Sequence, residues 1–127
     1  PCFRVFTNVD VDRETQVAFL KAVSSMLAKE LRKPERYEYC RLNSSYVTVC
    51  IVPGQTMLWG GNDVPCAQAY LMSLGGLGTE VNSKISSKLA ELLKKHLKIT
   101  SDHYYLHFVD AEGYMIGYDG DSSNYSL

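Results

Sequence analysis

The sequence predicts an α+β fold in which a β-α-β unit occurs twice, giving a four-stranded mixed sheet with two helices on one face. Three observations carry that prediction: two apolar stripes at three- and four-residue spacing, β-rich segments on both sides of each stripe, and the same order of parts in the two halves. With 127 residues, 46% of them hydrophobic, the chain can bury a core as one domain over residues 1–127.

The elements follow in order. Cys2 to Asn8 alternates Phe3, Val5 and Thr7 against Arg4 and Phe6, the period of a strand, and Pro1 shares the face of Phe3 and Val5. Asp10 or Asp12 caps the next element. A helix is expected from Glu14 to Arg32, with Phe19, Leu20, Val23, Met26, Leu27 and Leu31 as its stripe and Pro34 as its stop. Tyr37 to Val52 is rich in β-forming residues. Asn43-Ser44-Ser45 interrupts it with turn chemistry, as an extra hairpin or as an irregular insertion in one strand.

Pro53-Gly54 is a turn, Met57 to Trp59 a short strand closed by Gly60-Gly61, and Ala67 to Leu74 a strand ended by Gly75-Gly76. The second helix is expected over Ser83 to Leu97, burying Ile85, Leu89, Leu92, Leu93 and Leu97 and turning Lys88, Lys94 and Lys95 to water. Tyr104 to Val109 and Tyr114 to Tyr118 complete the strands. Each half runs from a basic helix end through a turn to a tyrosine-led strand. Parallel strands need a crossover, and such crossovers are right-handed. Two crossovers side by side leave the far sheet face bare, and copies of the same chain would cover it most easily.

Composition removes several function classes. With 13 basic and 14 acidic residues and no basic block, nucleic acid is not an expected partner. No apolar run is long enough for membrane insertion. Cys2, Cys40, Cys50 and Cys66 form no C-x-x-C pair and no zinc spacing with the histidines, so neither a metal nor another cofactor is expected. The cysteines read as small buried hydrophobes of a reduced, leaderless, cytoplasmic chain. Asn43-Ser44-Ser45 and Asn124-Tyr125-Ser126 fit the glycosylation pattern and are expected to stay bare in that compartment.

The residue with the most distinctive chemistry is Pro1. An N-terminal proline carries a secondary amine, a general base that no side chain supplies. Around it stands an ordered set of marks: Thr7-Asn8-Val9, Lys33-Pro34, Gly60-Gly61, Pro65-Cys66-Ala67, Ser73-Leu74-Gly75-Gly76, Asp102, Tyr105 and Ile116-Gly117-Tyr118. In this order, and with helices in the right gaps, the set resembles the macrophage migration inhibitory factor family of the tautomerase superfamily over nearly the whole chain.

That resemblance implies a homotrimer of β-α-β repeats with active sites at subunit interfaces. It also implies tautomerisation of small aromatic keto acids of the phenylpyruvate and dopachrome type, together with cytokine activity at a cell-surface receptor and export by a leaderless route. The alternative function is a secreted cytokine-like binding protein with a vestigial pocket. Decarboxylation coupled to tautomerisation is a third.

Keto–enol tautomerisation needs a base beside the acidic C–H and a means of holding the developing enolate. Pro1 matches the base. An ordinary α-amino group has a pKa of about 8, and burial lowers it by disfavouring the ammonium form. Lys33 matches the lysine that binds the substrate carboxylate; otherwise it is a solvated cation at a helix C-terminus. Leu74 matches a position whose backbone contacts substrate. Tyr105 matches a tyrosine donated by the neighbouring subunit, and His107, two residues on and on the same strand face, stands where asparagine is usual. Met72, Ile116, Tyr118 and Tyr125 match pocket-lining positions, with Tyr118 in place of a common tryptophan and Met72 making the rim more apolar. Two features depart from the pattern. Cys66-Ala67-Gln68-Ala69 keeps only the first cysteine of a redox pair, and residues 38–46 are longer than the family pattern.

Overall fold

The computed structural model describes residues 1–31 and 46–121. Strand β1 (Cys2–Thr7) leads to helix α1 (Arg13–Glu30) and strand β2 (Thr48–Val52); strand β3 (Ala67–Ser73) leads to helix α2 (Thr79–Leu97) and strand β4 (Tyr104–Asp110). The sheet order is β2-β1-β3-β4. β1 is parallel to β2 and β3 to β4, each pair joined through a helix, while β1 and β3 meet antiparallel at the centre. The four-stranded mixed sheet and its two β-α-β units are as the sequence predicts.

Alternation along the strands places the core. Phe3, Val5, Ala67, Ala69 and Leu71 point to one face and join a single buried cluster with Phe19, Val23 and Leu27 of α1 and Ile85, Leu89 and Leu93 of α2. Both helices therefore lie on that face. Of the predicted stripes, Leu20, Met26 and Leu92 are only half-buried, at the edges of the helix contact.

Helix ends follow local chemistry. The Asp12 side chain accepts from Thr15 N at 2.8 Å, which decides between the two capping candidates. This bond from Thr15 also lowers the Asp12 pKa. Helix α2 starts four residues before the expected Ser83. Its apolar stripe reaches back to Val81, and Asn82 Oδ1 accepts from Gly78 N while Asn82 N donates to Gly78 O. It ends at Lys98, left-handed at φ 60°, with Lys98 N and Ile99 N both donating to Leu93 O, and Ile99 drops into the core. The Tyr104 hydroxyl then ties β4 to α2 by donating to Ser86 O at 3.0 Å.

Two expected strands are corrected. Met57 to Trp59 is not a strand; Trp59 and Asn62 exchange both backbone hydrogen bonds across Gly60 (φ 56°) and Gly61 (φ 80°), a two-residue turn that needs left-handed residues. Tyr114 to Tyr118 is not a strand either: a 3-10 turn covers Gly113–Met115, and Tyr118 and Asp121 close a similar turn over Asp119 and Gly120. Among the described residues, no strand of the sheet pairs with either segment. Of the expected β-rich stretch, Thr48–Val52 is a strand, and residues 37–45 lie outside the described residues. Arg32, Pro34, the question of a hairpin at Asn43-Ser44-Ser45, Cys40 and both glycosylation motifs lie outside the described residues. Of the other cysteines only Cys66 is buried, and burial pushes its thiol pKa up; Cys2 is half-buried and Cys50 exposed, because both fall on the sheet face away from the helices.

Candidate functional site around Pro1

Pro1 opens the central strand, and its carbonyl accepts from Thr48 N at 3.0 Å, extending the β1–β2 ladder by one bond. Cys2 stands level with Met72 and, through it, with Val109, so Pro1 falls level with Ser73 and Asp110 at one end of the sheet. The Pro1 amine is half-buried there. Burial lowers its pKa from the ordinary value of 8.0, and the smaller influence of Cys2 works the other way. The neutral amine, the form that takes up a proton, is thus favoured at lower pH than in a solvated chain end.

The chain after β4 builds a wall beside this end. Ala111 is buried, with its N–H on Ser73 O at 2.9 Å. The ring of Tyr118 then lies 6.2 Å from that of Tyr46, edge to face. Tyr46 precedes β2 at the opposite edge of the sheet. Residues 111–118 therefore cross the sheet end where Pro1 sits, carrying half-buried Ile116 and exposed Tyr118 with them. Met72 and Leu74, both half-buried, flank the same end from β3. The fold thus brings Pro1, Met72, Leu74, Ile116 and Tyr118 to one end of the sheet. It adds Tyr46, which sequence reading left inside a β-rich stretch; its aromatic character next to the strand start was the available signal.

Tyr105 and His107 are not brought there. Tyr105 pairs with Gln68, level with Phe6, and lies about 16 Å along the strands and about 10 Å across the sheet from Pro1. Its side chain is 73% exposed on the face without helices. His107 is on the same face, its ring 6.0 Å from that of Tyr70, which in turn sits under the Arg4 guanidinium at 5.5 Å. Any meeting of these groups with Pro1 requires a second chain. Lys33 and Tyr125 lie outside the described residues.

The Thr7-Asn8-Val9 motif is structural. The Thr7 hydroxyl donates to Cys66 O at 2.8 Å, and Asn8 Nδ2 donates to Val64 O at 2.7 Å and Met57 O at 3.3 Å. Asn8 Oδ1 accepts from Cys66 N at 2.9 Å. One asparagine thereby satisfies backbone groups at both ends of the loop between β2 and β3. No helix of the described residues is long and apolar enough to cross a membrane.

Comparison with known proteins agrees with this architecture. A macrophage migration inhibitory factor homolog of Brugia malayi is 37% identical over 122 residues, covering 96% of this chain and 97% of that protein. One of Trichuris trichiura is 39% identical over 122 residues, covering 96% and 98%. The solved structure of the macrophage migration inhibitory factor from Trichinella spiralis superposes with a TM-score of 0.81 at 32% identity, over 96% of this chain and 99% of that one. The profile of the macrophage migration inhibitory factor family matches residues 1–123, and the chain belongs to that family.

Proposed function

We propose that the protein is a cofactor-free keto–enol tautomerase of small aromatic keto acids, of the phenylpyruvate and dopachrome type, with Pro1 as its general base. The observation that carries this reading is the half-buried Pro1 amine with its lowered pKa, set at a sheet end walled by Met72, Leu74, Ile116 and Tyr118. Family membership supports the same class of chemistry.

In this reading Pro1 begins the mature chain. Its nitrogen lone pair takes a proton from the carbon next to the keto group, the C–H electrons become the enol double bond, and the carbonyl π pair moves to oxygen. The oxygen then takes up a proton, and the amine gives its own back to solvent. Atoms and electrons balance as an isomerisation, so no redox partner is required. Lys33 would hold the substrate carboxylate, and the Leu74 backbone would contact substrate. Tyr105 and His107 would come from the adjoining subunit of a homotrimer, with Tyr125 adding to the wall. The sheet face that this chain leaves uncovered supports such an assembly. A cytokine-like role at a cell-surface receptor, with the chain cytoplasmic and exported, is compatible with the same fold and with membership of the family.

The test is enolisation of phenylpyruvate by the protein and by a variant with one alanine inserted before Pro1. The insertion replaces the secondary amine with an amide, and a loss of at least about 100-fold is expected, with circular dichroism unchanged. Full activity in the inserted variant would remove Pro1 from the mechanism. No turnover above buffer by the unmodified protein would leave the binding-protein reading in its place.

A further inference from the structure

We propose that Trp59 is a positioning residue that fixes the Tyr105 phenol for use in the proline site of an adjoining subunit; this rests on the tautomerase reading above. Tyr105 needs such support. It is 73% exposed, and a tyrosine so placed samples several rotamers unless a neighbour selects one. Among the described residues its one aromatic neighbour is Trp59, whose ring is tilted by 35° with centroids 5.0 Å apart. That spacing is in the range of favourable offset aromatic pairs.

Trp59 is itself held on three sides. Its backbone is locked by the reciprocal hydrogen bonds with Asn62, at 2.9 and 3.0 Å, over the Gly60-Gly61 turn. Asn8 pins the loop on both sides of it, at Met57 and Val64. Its indole also meets His103 edge to face at 5.6 Å. His103 precedes β4 and Tyr105 lies two residues on, and the one indole meets both rings.

His103 is fixed in turn. The Thr100 hydroxyl donates to Asp102 Oδ1 at 2.7 Å, so His103 Nδ1 donates to the Thr100 oxygen at 2.8 Å, which sets its tautomer. The Thr100 hydroxyl, then the Asp102 backbone N–H and His103, hold the Asp102 carboxyl below the usual carboxylate range. A connected frame therefore runs from Asp102 through Thr100, His103 and Trp59 to Tyr105. It accounts for Asp102 and Gly60-Gly61, two marks of the sequence that the proline chemistry does not use.

The experiment measures phenylpyruvate turnover and, by calorimetry, phenylpyruvate binding for the unmodified protein, Trp59→Ala, Trp59→Phe, Tyr105→Ala and the Trp59→Ala/Tyr105→Ala double variant. Trp59→Ala is expected to raise KM and the dissociation constant about fivefold with kcat within about twofold, the loss of one aromatic contact. Trp59→Phe, which keeps a ring, is expected to stay within about twofold of the unmodified protein. In the Tyr105→Ala background, removing Trp59 is expected to add less than about twofold, because the residue it positions is gone. An unchanged KM and dissociation constant in Trp59→Ala, or the same penalty in both backgrounds, overturns the proposal. Absence of turnover in the unmodified protein overturns the tautomerase reading instead, and the binding measurements still decide the role of Trp59.

Discussion

The two faces of one sheet have opposite fates. On the helix side Phe3, Val5, Ala67, Ala69 and Leu71 are 1% exposed or less. On the other side Arg4, Gln68, Tyr105, His107 and Val109 are exposed, and Phe6, Tyr70 and Met72 are half-buried. Neighbouring positions thus differ by full burial although they share strand, register and backbone geometry. The helix side is completed by this chain's own residues and carries stability. The open side carries rings, a guanidinium and an imidazole, with Arg4 over the Tyr70 ring and Tyr70 beside His107. Burial and exposure are separated by parity along the strand.

This contrast can be broken at adjacent residues. Leu71→Ala removes a fully buried side chain facing both helices and is expected to cost about 2–5 kcal/mol in chemical denaturation. Met72→Ala, one residue on and half-buried on the other side, is expected to cost less than about 1.5 kcal/mol while raising KM for phenylpyruvate. Equal losses of stability at the two positions would show that the open face is not a separate functional layer. At the small end stands the clip between the helices, Lys88 Nζ to Glu30 Oε1 at 2.9 Å, with the lysine side chain 42% exposed. Lys88→Ala is expected to cost less than about 1 kcal/mol, read from the same denaturation curves.

Much of this was legible beforehand where a residue's role depends on its own segment. Both helices are legible from apolar spacing and β1 from alternation, because burial against a neighbour imposes those periods on the sequence itself, and the end of β3 is marked by Gly75-Gly76. The early start of α2 lies beyond single-segment reading because Gly78 has no capping side chain, and the Asn82 side chain reaches back from inside the helix to accept from Gly78 N. Met57–Trp59 and Tyr114–Tyr118 carry strand-like residues, but strand pairing is a property of two segments and composition reports only one. At the candidate site, register sets Pro1 beside Met72 and the Tyr46–Tyr118 ring contact brings residues 111–118 across the same sheet end, and single-segment reading supplies neither. Tyr46 and Trp59 escaped notice because each matters through a ring contact with a residue distant in sequence.

The central claim is that burial lowers the Pro1 pKa and so favours the neutral amine that acts as base, and the pH dependence of kcat/KM for phenylpyruvate tests it most directly. Only the neutral amine accepts the substrate proton, so the rate rises as pH rises through the Pro1 pKa and is level above it. Because burial lowers that pKa, the account predicts the midpoint of the rise below 8.0, and loss of that rise when an alanine precedes Pro1. A midpoint at or above 8, or an unchanged profile in the inserted variant, would contradict it.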